Sequence, residues 1–195
     1  MKSHYGMVFY SKNLEYVPEN VSALLASLQI DGFIGEPFST VFKQQTETQN
    51  GYLIGREFLK LITFLGCSPH IAVTPPEQLT DWGNFCYIEI QHFQAPKYFK
   101  GLNQPKCSCP VCKSRVTGAL PELQQWLPGP QEVSCPKCQQ TTLAENLNWR
   151  HGGGFGRFFI VVNSIYPNEA VATDKLMSLL NSVSGEDWDY FYFEQ

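Results

Sequence analysis

Short apolar and aromatic runs alternate along the chain with longer stretches in which apolar positions recur every three or four residues. HYGMVFYS (4–11) is rich in aromatic and apolar residues and reads as a strand. In VPENVSALLASLQI (17–30), Val21, Leu24, Leu25 and Leu28 fall at helical spacing, and Pro18 suits a first helical position. DGFIGEPF (31–38) is punctuated by glycine and proline, which predicts a short strand or a turn, and the polar segment 39–51 predicts a surface connection. REFLKLITFLG (56–66) puts Phe58, Leu61, Ile62 and Leu65 on one helical face, with Gly66 placed to end the helix. HIAVT (70–74) predicts a strand stopped by Pro75 and Pro76, and NFCYIEIQHF (84–93) alternates around Cys86, Ile88 and Ile90 as a half-buried strand does.

FGRFFIVVNS (155–164) carries the clearest strand pattern of the chain. NEAVATDKLMSLLNSV (168–183) predicts a helix with Asn168 as N-cap and Val171, Leu176, Leu179, Leu180 and Val183 turned inward. DWDYFYFEQ (187–195) closes as a strand. A strand, helix, strand series therefore opens the chain and another closes it. This predicts an α+β fold: a mixed or antiparallel sheet with helices packed on one face, in a ferredoxin-like arrangement.

Composition divides this picture. Residues 97–150 hold five of the seven cysteines and six prolines. We therefore expect 1–96 and 151–195 to form one α+β body together, with 97–150 as an insert. The net charge of −4 also conceals a pattern. Residues 1–96 hold five Lys/Arg against nine Asp/Glu, residues 97–157 hold eight against three, and residues 158–195 hold one against six. A basic middle between acidic flanks suits either an anionic partner or docking of the insert on its own body.

The insert contains PKCSCPVCKSR (105–115), with Cys107, Cys109 and Cys112, and further on Cys135-Pro-Lys-Cys138. Cys109-Pro-Val-Cys112 and Cys135-Pro-Lys-Cys138 share the pattern C-P-x-C, which pairs Cys109 with Cys112 and leaves Cys107 over. Two thiolates separated by two residues wrap one metal ion on a tight turn, and proline within the pair fixes φ for that turn. Cys107 in place of Cys109 is the alternative, at the cost of four intervening residues and the paired proline. Twenty-two residues separate Cys112 from Cys135, near the spacing of two-knuckle zinc sites.

CPVC…CPKC resembles a zinc ribbon over about residues 105–142. The resemblance implies one Zn²⁺ on Cys109, Cys112, Cys135 and Cys138 beside a small β-hairpin, with iron in a rubredoxin-like shell as the other ion that takes such ligands. Four thiolates close the coordination shell, so such a metal is structural and any chemistry lies elsewhere. Lys113, Arg115 and Lys137 are placed to offset the sulfur charge.

RHGGGFGR (150–157) is the other unusual stretch. Arg150, His151 and Arg157 around Gly152, Gly153 and Gly154 form a candidate anion or ligand loop. It leads into a strand instead of a helix, which separates it from phosphate loops and dinucleotide fingerprints. Cys67 and His70 in GCSPH, and Cys86 with His92, are weaker candidates for a second site. The N-terminus lacks a signal-peptide pattern, and no run reaches the roughly 18 apolar residues of a membrane span. Paired cysteines without a secretory signal favour metal binding over disulfides, and a cytoplasmic location. With no catalytic triad or cofactor fingerprint in view, the expected role is a non-enzymatic zinc-ribbon protein that binds a macromolecular partner, protein or nucleic acid. A small enzyme with structural zinc and an anion cleft near 150–157 is the alternative.

Overall fold

The computed structural model describes residues 5–38, 50–66, 71–75, 85–102, 107–116, 132–149 and 152–194. In chain order the elements are β1 (Tyr5–Ser11), α1 (Val21–Ile30), β2 (Ile34–Phe38), β3 (Asn50–Ile54), α2 (Phe58–Leu61), β4 (Ile62–Phe64), β5 (Tyr87–Lys100), β6 (Glu132–Ser134), β7 (Thr141–Leu143), β8 (Gly153–Asn163), β9 (Ala170–Ala172), α3 (Asp174–Ser184) and β10 (Trp188–Glu194).

The α+β expectation holds. Six of the described strands form one sheet in the order β10-β1-β8-β5-β3-β2, and every pairing in it is antiparallel. Within it β10-β1-β8-β5 is the ferredoxin-like interleaving of two strand–helix–strand units, β1-α1-β5 and β8-α3-β10. β3 and β2 extend the sheet beyond β5. Met7, Phe9, Ile88, Ile90, Phe158, Ile160, Val162 and Trp188 share one buried core with Leu24, Leu25 and Leu28 of α1 and Leu176 and Leu180 of α3.

The opposite face is buried too. Val8, Phe159, Val161, Phe191 and Phe193 form a second cluster there, with Phe99 packed against it. β8 is thus apolar on both sides, which is why its FFIVV run is continuous instead of alternating. The long β5–β8 pair reaches this face through an irregularity between His92 and Lys97. Beyond it, the Phe99 ring lies 5.6 Å from Phe159, 6.0 Å from Phe191 and 5.4 Å from Phe193 between centroids. The Leu102 N–H then donates to the Tyr192 carbonyl at 2.7 Å, so the chain leaving β5 meets β10 at the far edge of the sheet. A bulge that adds residues to one strand increases the local twist, and here the twist curls the hairpin over.

Three predicted boundaries shift. α1 begins at Val21, and its cap is Asn20, whose side chain accepts from the Ala23 N–H; Pro18 stands outside the helix. The helix predicted over 56–66 is one turn, 58–61, with no side-chain cap. Ile62, Thr63 and Phe64 instead pair with Ala172, Val171 and Ala170. A single turn is poorly nucleated, and β-branched residues beside a waiting strand resolve the ambiguity. Leu65, expected on the buried face, is 64% exposed. The same pairing explains the third shift. Residues 170–172 are strand, so α3 starts at Asp174 under a Thr173 cap, while Asn168 is left-handed at φ 62° and caps nothing.

The predicted connection 39–51 ends in β3, and its residues 39–49 lie outside the described residues. At 70–74 the described residues show an isolated bridge, Ala72 to Phe85, and His70 is not described.

Between β5 and β8, β6 and β7 form a hairpin. Val116, Val133, Ala144, Leu147, Trp149 and Phe155 build a third core with Cys107, Cys109 and Cys135. Its aromatic part is shared with the sheet: Trp149 lies 5.1 Å from Tyr98 of β5 and 5.3 Å from Phe155 of β8 between ring centroids. The Trp149 indole N–H donates to the Ala144 carbonyl at 2.9 Å, which ties Trp149 back to the turn that follows β7.

Candidate metal centre

The two C-P-x-C segments fold alike. In the first, the Lys113 N–H donates to the Cys109 carbonyl at 3.0 Å and the Cys109 N–H to the Ser114 carbonyl at 2.9 Å. In the second, the Gln139 N–H donates to the Cys135 carbonyl and the Cys135 N–H to the Gln140 carbonyl, both at 2.9 Å. Lys113 and Gln139 take left-handed φ values of 59° and 60°. Neither is glycine, so each turn carries a conformation that costs an L-residue of the order of 1 kcal/mol, and the paired hydrogen bonds hold it.

These turns bring four sulfurs together. The Sγ atoms of Cys109, Cys112, Cys135 and Cys138 all lie within 4.8 Å of one another. Cys109 faces Cys138 at 3.8 Å and Cys112 faces Cys135 at 3.6 Å, each pair drawn from opposite knuckles. Among the described residues this is the only group of three or more His, Cys, Asp or Glu side chains placed to hold a metal ion. Cys109 and Cys135 are buried, Cys112 is half-buried and Cys138 is exposed.

Local donors favour thiolates in the centre. The Cys138 N–H, and next the Ser114 hydroxyl, bring the Cys135 thiol down to about 6. Ser114, through its hydroxyl and its N–H, also lowers Cys112. Cys138 goes the other way: the Gln140 N–H pulls it down, but desolvation and the three neighbouring sulfurs push it up to about 12. Four sulfurs in contact cannot all ionise cheaply, and a cation relieves that conflict.

Cys107 stands apart from the four. It is buried in the small core, its carbonyl accepts the Val116 N–H at 3.1 Å, and burial raises its thiol. Lys113, Arg115 and Lys137 are exposed around the knuckles. Sequence reasoning missed Ser114. Its Oγ lies 2.9 Å from Cys112 Sγ and 3.3 Å from Cys135 Sγ, and the only signal was a hydroxyl two residues beyond the first knuckle.

Of the candidate anion loop, Arg150 and His151 lie outside the described residues. Gly152, Gly153 and Gly154 are buried, the last two inside β8. A Cβ at Gly153, where φ is +148°, would come within 2.5 Å of the Tyr98 hydroxyl, and one at Gly154 within 2.8 Å of the Phe191 ring. The glycines therefore permit close packing at the curl of the hairpin. Gly153 and Gly154 also line an open cleft of about 470 Å³ together with Lys12, Glu145, Trp149 and Asp189. Arg157 is directed elsewhere, with Nε donating to the Phe93 carbonyl and Nη1 to Glu15, both at 3.3 Å. Cys86 is buried in the main core, which pushes its thiol up to about 12. His92 is exposed, and Cys67 and His70 are outside the described residues.

No known protein family, curated protein or solved structure matches this chain. Among the described residues no helix is long and apolar enough to cross a membrane.

Proposed function

We propose that Cys109, Cys112, Cys135 and Cys138 hold one structural Zn²⁺, and that the chain is a non-enzymatic ribbon protein that presents these knuckles to a macromolecular partner, protein or nucleic acid. One observation carries the metal reading. A tetrahedron of zinc–sulfur bonds of about 2.3 Å has six edges of about 3.8 Å; two of the six sulfur pairs lie at 3.8 and 3.6 Å, and all four sulfurs lie within 4.8 Å of one another. A disulfide would bring them to about 2 Å. Zinc is favoured over iron because closed all-cysteine structural shells suit it. The partner reading is supported by the knuckle surface, where Val111 is 66% exposed beside exposed Lys113, Arg115 and Lys137.

Elemental analysis of the purified chain should give one zinc per molecule, and Cys109→Ser or Cys138→Ser should lose it. A chain that takes up neither zinc nor iron sinks the metal reading. Oligonucleotide binding that weakens steeply with salt assigns the partner as nucleic acid; an absence of such binding leaves protein.

The second reading, a small enzyme with structural zinc, draws on Gly153 and Gly154 lining a cleft with Lys12. Glu145 and Asp189 line the same cleft and oppose an anion there. A thermal-shift series with phosphates and carboxylates separates the two readings, because stabilisation by either favours the enzyme.

A further inference from the structure

We propose that Ser114 is a positioning residue for the metal centre, its hydroxyl donating to a sulfur of one knuckle or the other and tuning the donor strength of the sulfur it contacts. The inference rests on the four-sulfur reading above. Ser114 Oγ is 2.9 Å from Cys112 in its own knuckle and 3.3 Å from Cys135 in the other. Its placement is fixed by the backbone: Lys113 turns left-handed just before it, and the Ser114 carbonyl accepts the Cys109 N–H.

The second knuckle supplies an internal control. Gln140 occupies the equivalent position, and its carbonyl accepts the Cys135 N–H at 2.9 Å. Its side chain turns away, donating to the Thr141 carbonyl at 3.2 Å. The backbone role is the same at both positions, and the side-chain contact to sulfur belongs to Ser114.

A serine hydroxyl has one proton, so it donates to one sulfur at a time. Metal-bound thiolates carry no proton and act only as acceptors, so the hydroxyl donates to Cys112 or, after rotation, to Cys135. A hydrogen bond to a thiolate is charge-assisted and draws electron density from the sulfur. In the orientation that donates to Cys135, the hydroxyl ties residues 109–114 to the other knuckle across a long connection in the sequence. Ser114 therefore weakens electron donation from the sulfur it contacts and, when that sulfur is Cys135, links the two knuckles.

The test uses the full chain loaded with Co²⁺, followed by competition with Zn²⁺ under a chelator of known affinity. Ser114→Ala should lose about tenfold or more in metal affinity, the range for removing a hydrogen-bond partner of a metal ligand. It should also move the thiolate-to-cobalt charge-transfer band to lower energy, a shift that a packing defect alone does not produce. Ser114→Thr should restore both, and Gln140→Ala should behave as the unmodified chain. An alanine variant with unchanged band and affinity overturns the proposal, as does a Gln140→Ala variant that matches it. If the unmodified chain binds no metal, the four-sulfur reading fails and the Ser114 role fails with it; if only the Ser114→Ala effect is missing, the four-sulfur reading stands.

Discussion

The sheet and the cysteine-bearing segment between β5 and β8 differ in the apolar surface that their described residues bury. The sheet buries Phe9, Phe158, Phe159, Phe191 and Phe193 on its two faces and adds α1 and α3 on one of them. Among the described residues the cysteine segment buries Val116, Val133, Ala144 and Leu147 around its cysteines, and its Trp149 packs on Tyr98 and Phe155 of the sheet. Apolar burial contributes roughly 25 cal/mol per Å², and among the described residues the sheet buries far more of it than the segment does. A short chain that cannot bury enough surface takes its order from a cross-link, and four converging thiolates supply one when a cation joins them. The two regions are joined through Tyr98 of β5 and Phe155 of β8.

The comparison breaks most sharply on metal removal. Chelation, or Cys112→Ser, should abolish amide-exchange protection over 107–116 and 132–149 while β1 and the centre of β8 keep theirs. Equal loss in both regions would mean that the sheet also depends on the metal. A smaller effect comes from the other side. Phe159→Ala opens a cavity in the curled face and should cost about 3–5 kcal/mol in denaturant unfolding, with metal content unchanged. Metal loss in that variant would show that the sheet sets the knuckle geometry. The mildest probe is Cys107→Ser, which should retain the metal but destabilise the segment by about 1–3 kcal/mol, because a hydroxyl replaces a thiol at a fully buried position. Loss of metal there would move Cys107 into the ligand set.

Legibility followed locality. C-P-x-C is a four-residue pattern, and its turn closes on itself through the Lys113-to-Cys109 and Gln139-to-Cys135 hydrogen bonds, so the candidate ligands could be read without knowing the fold. β8 was legible because a strand buried on both faces is apolar at every position. The segment 56–66 misled for a physical reason. Phe58, Leu61, Ile62 and Leu65 satisfy helical spacing, but β9, more than 100 residues away, claims Ile62–Phe64. The glycines of 152–154 advertised an anion or ligand loop, whereas two of them lie in a buried strand where a side chain would clash.

The sequence by itself determined the α+β class, the interleaved strand and helix pattern and the four candidate ligands, because each is encoded by residues close together in the chain. Only the tertiary structure decided that β5 and β8 curl until Leu102 meets Tyr192, that Cys107 is core, and that Ser114 reaches sulfurs of both knuckles. Those features depend on contacts between distant segments, whose formation is set by competition for the same backbone groups and the same buried space, and no local pattern records the outcome of that competition.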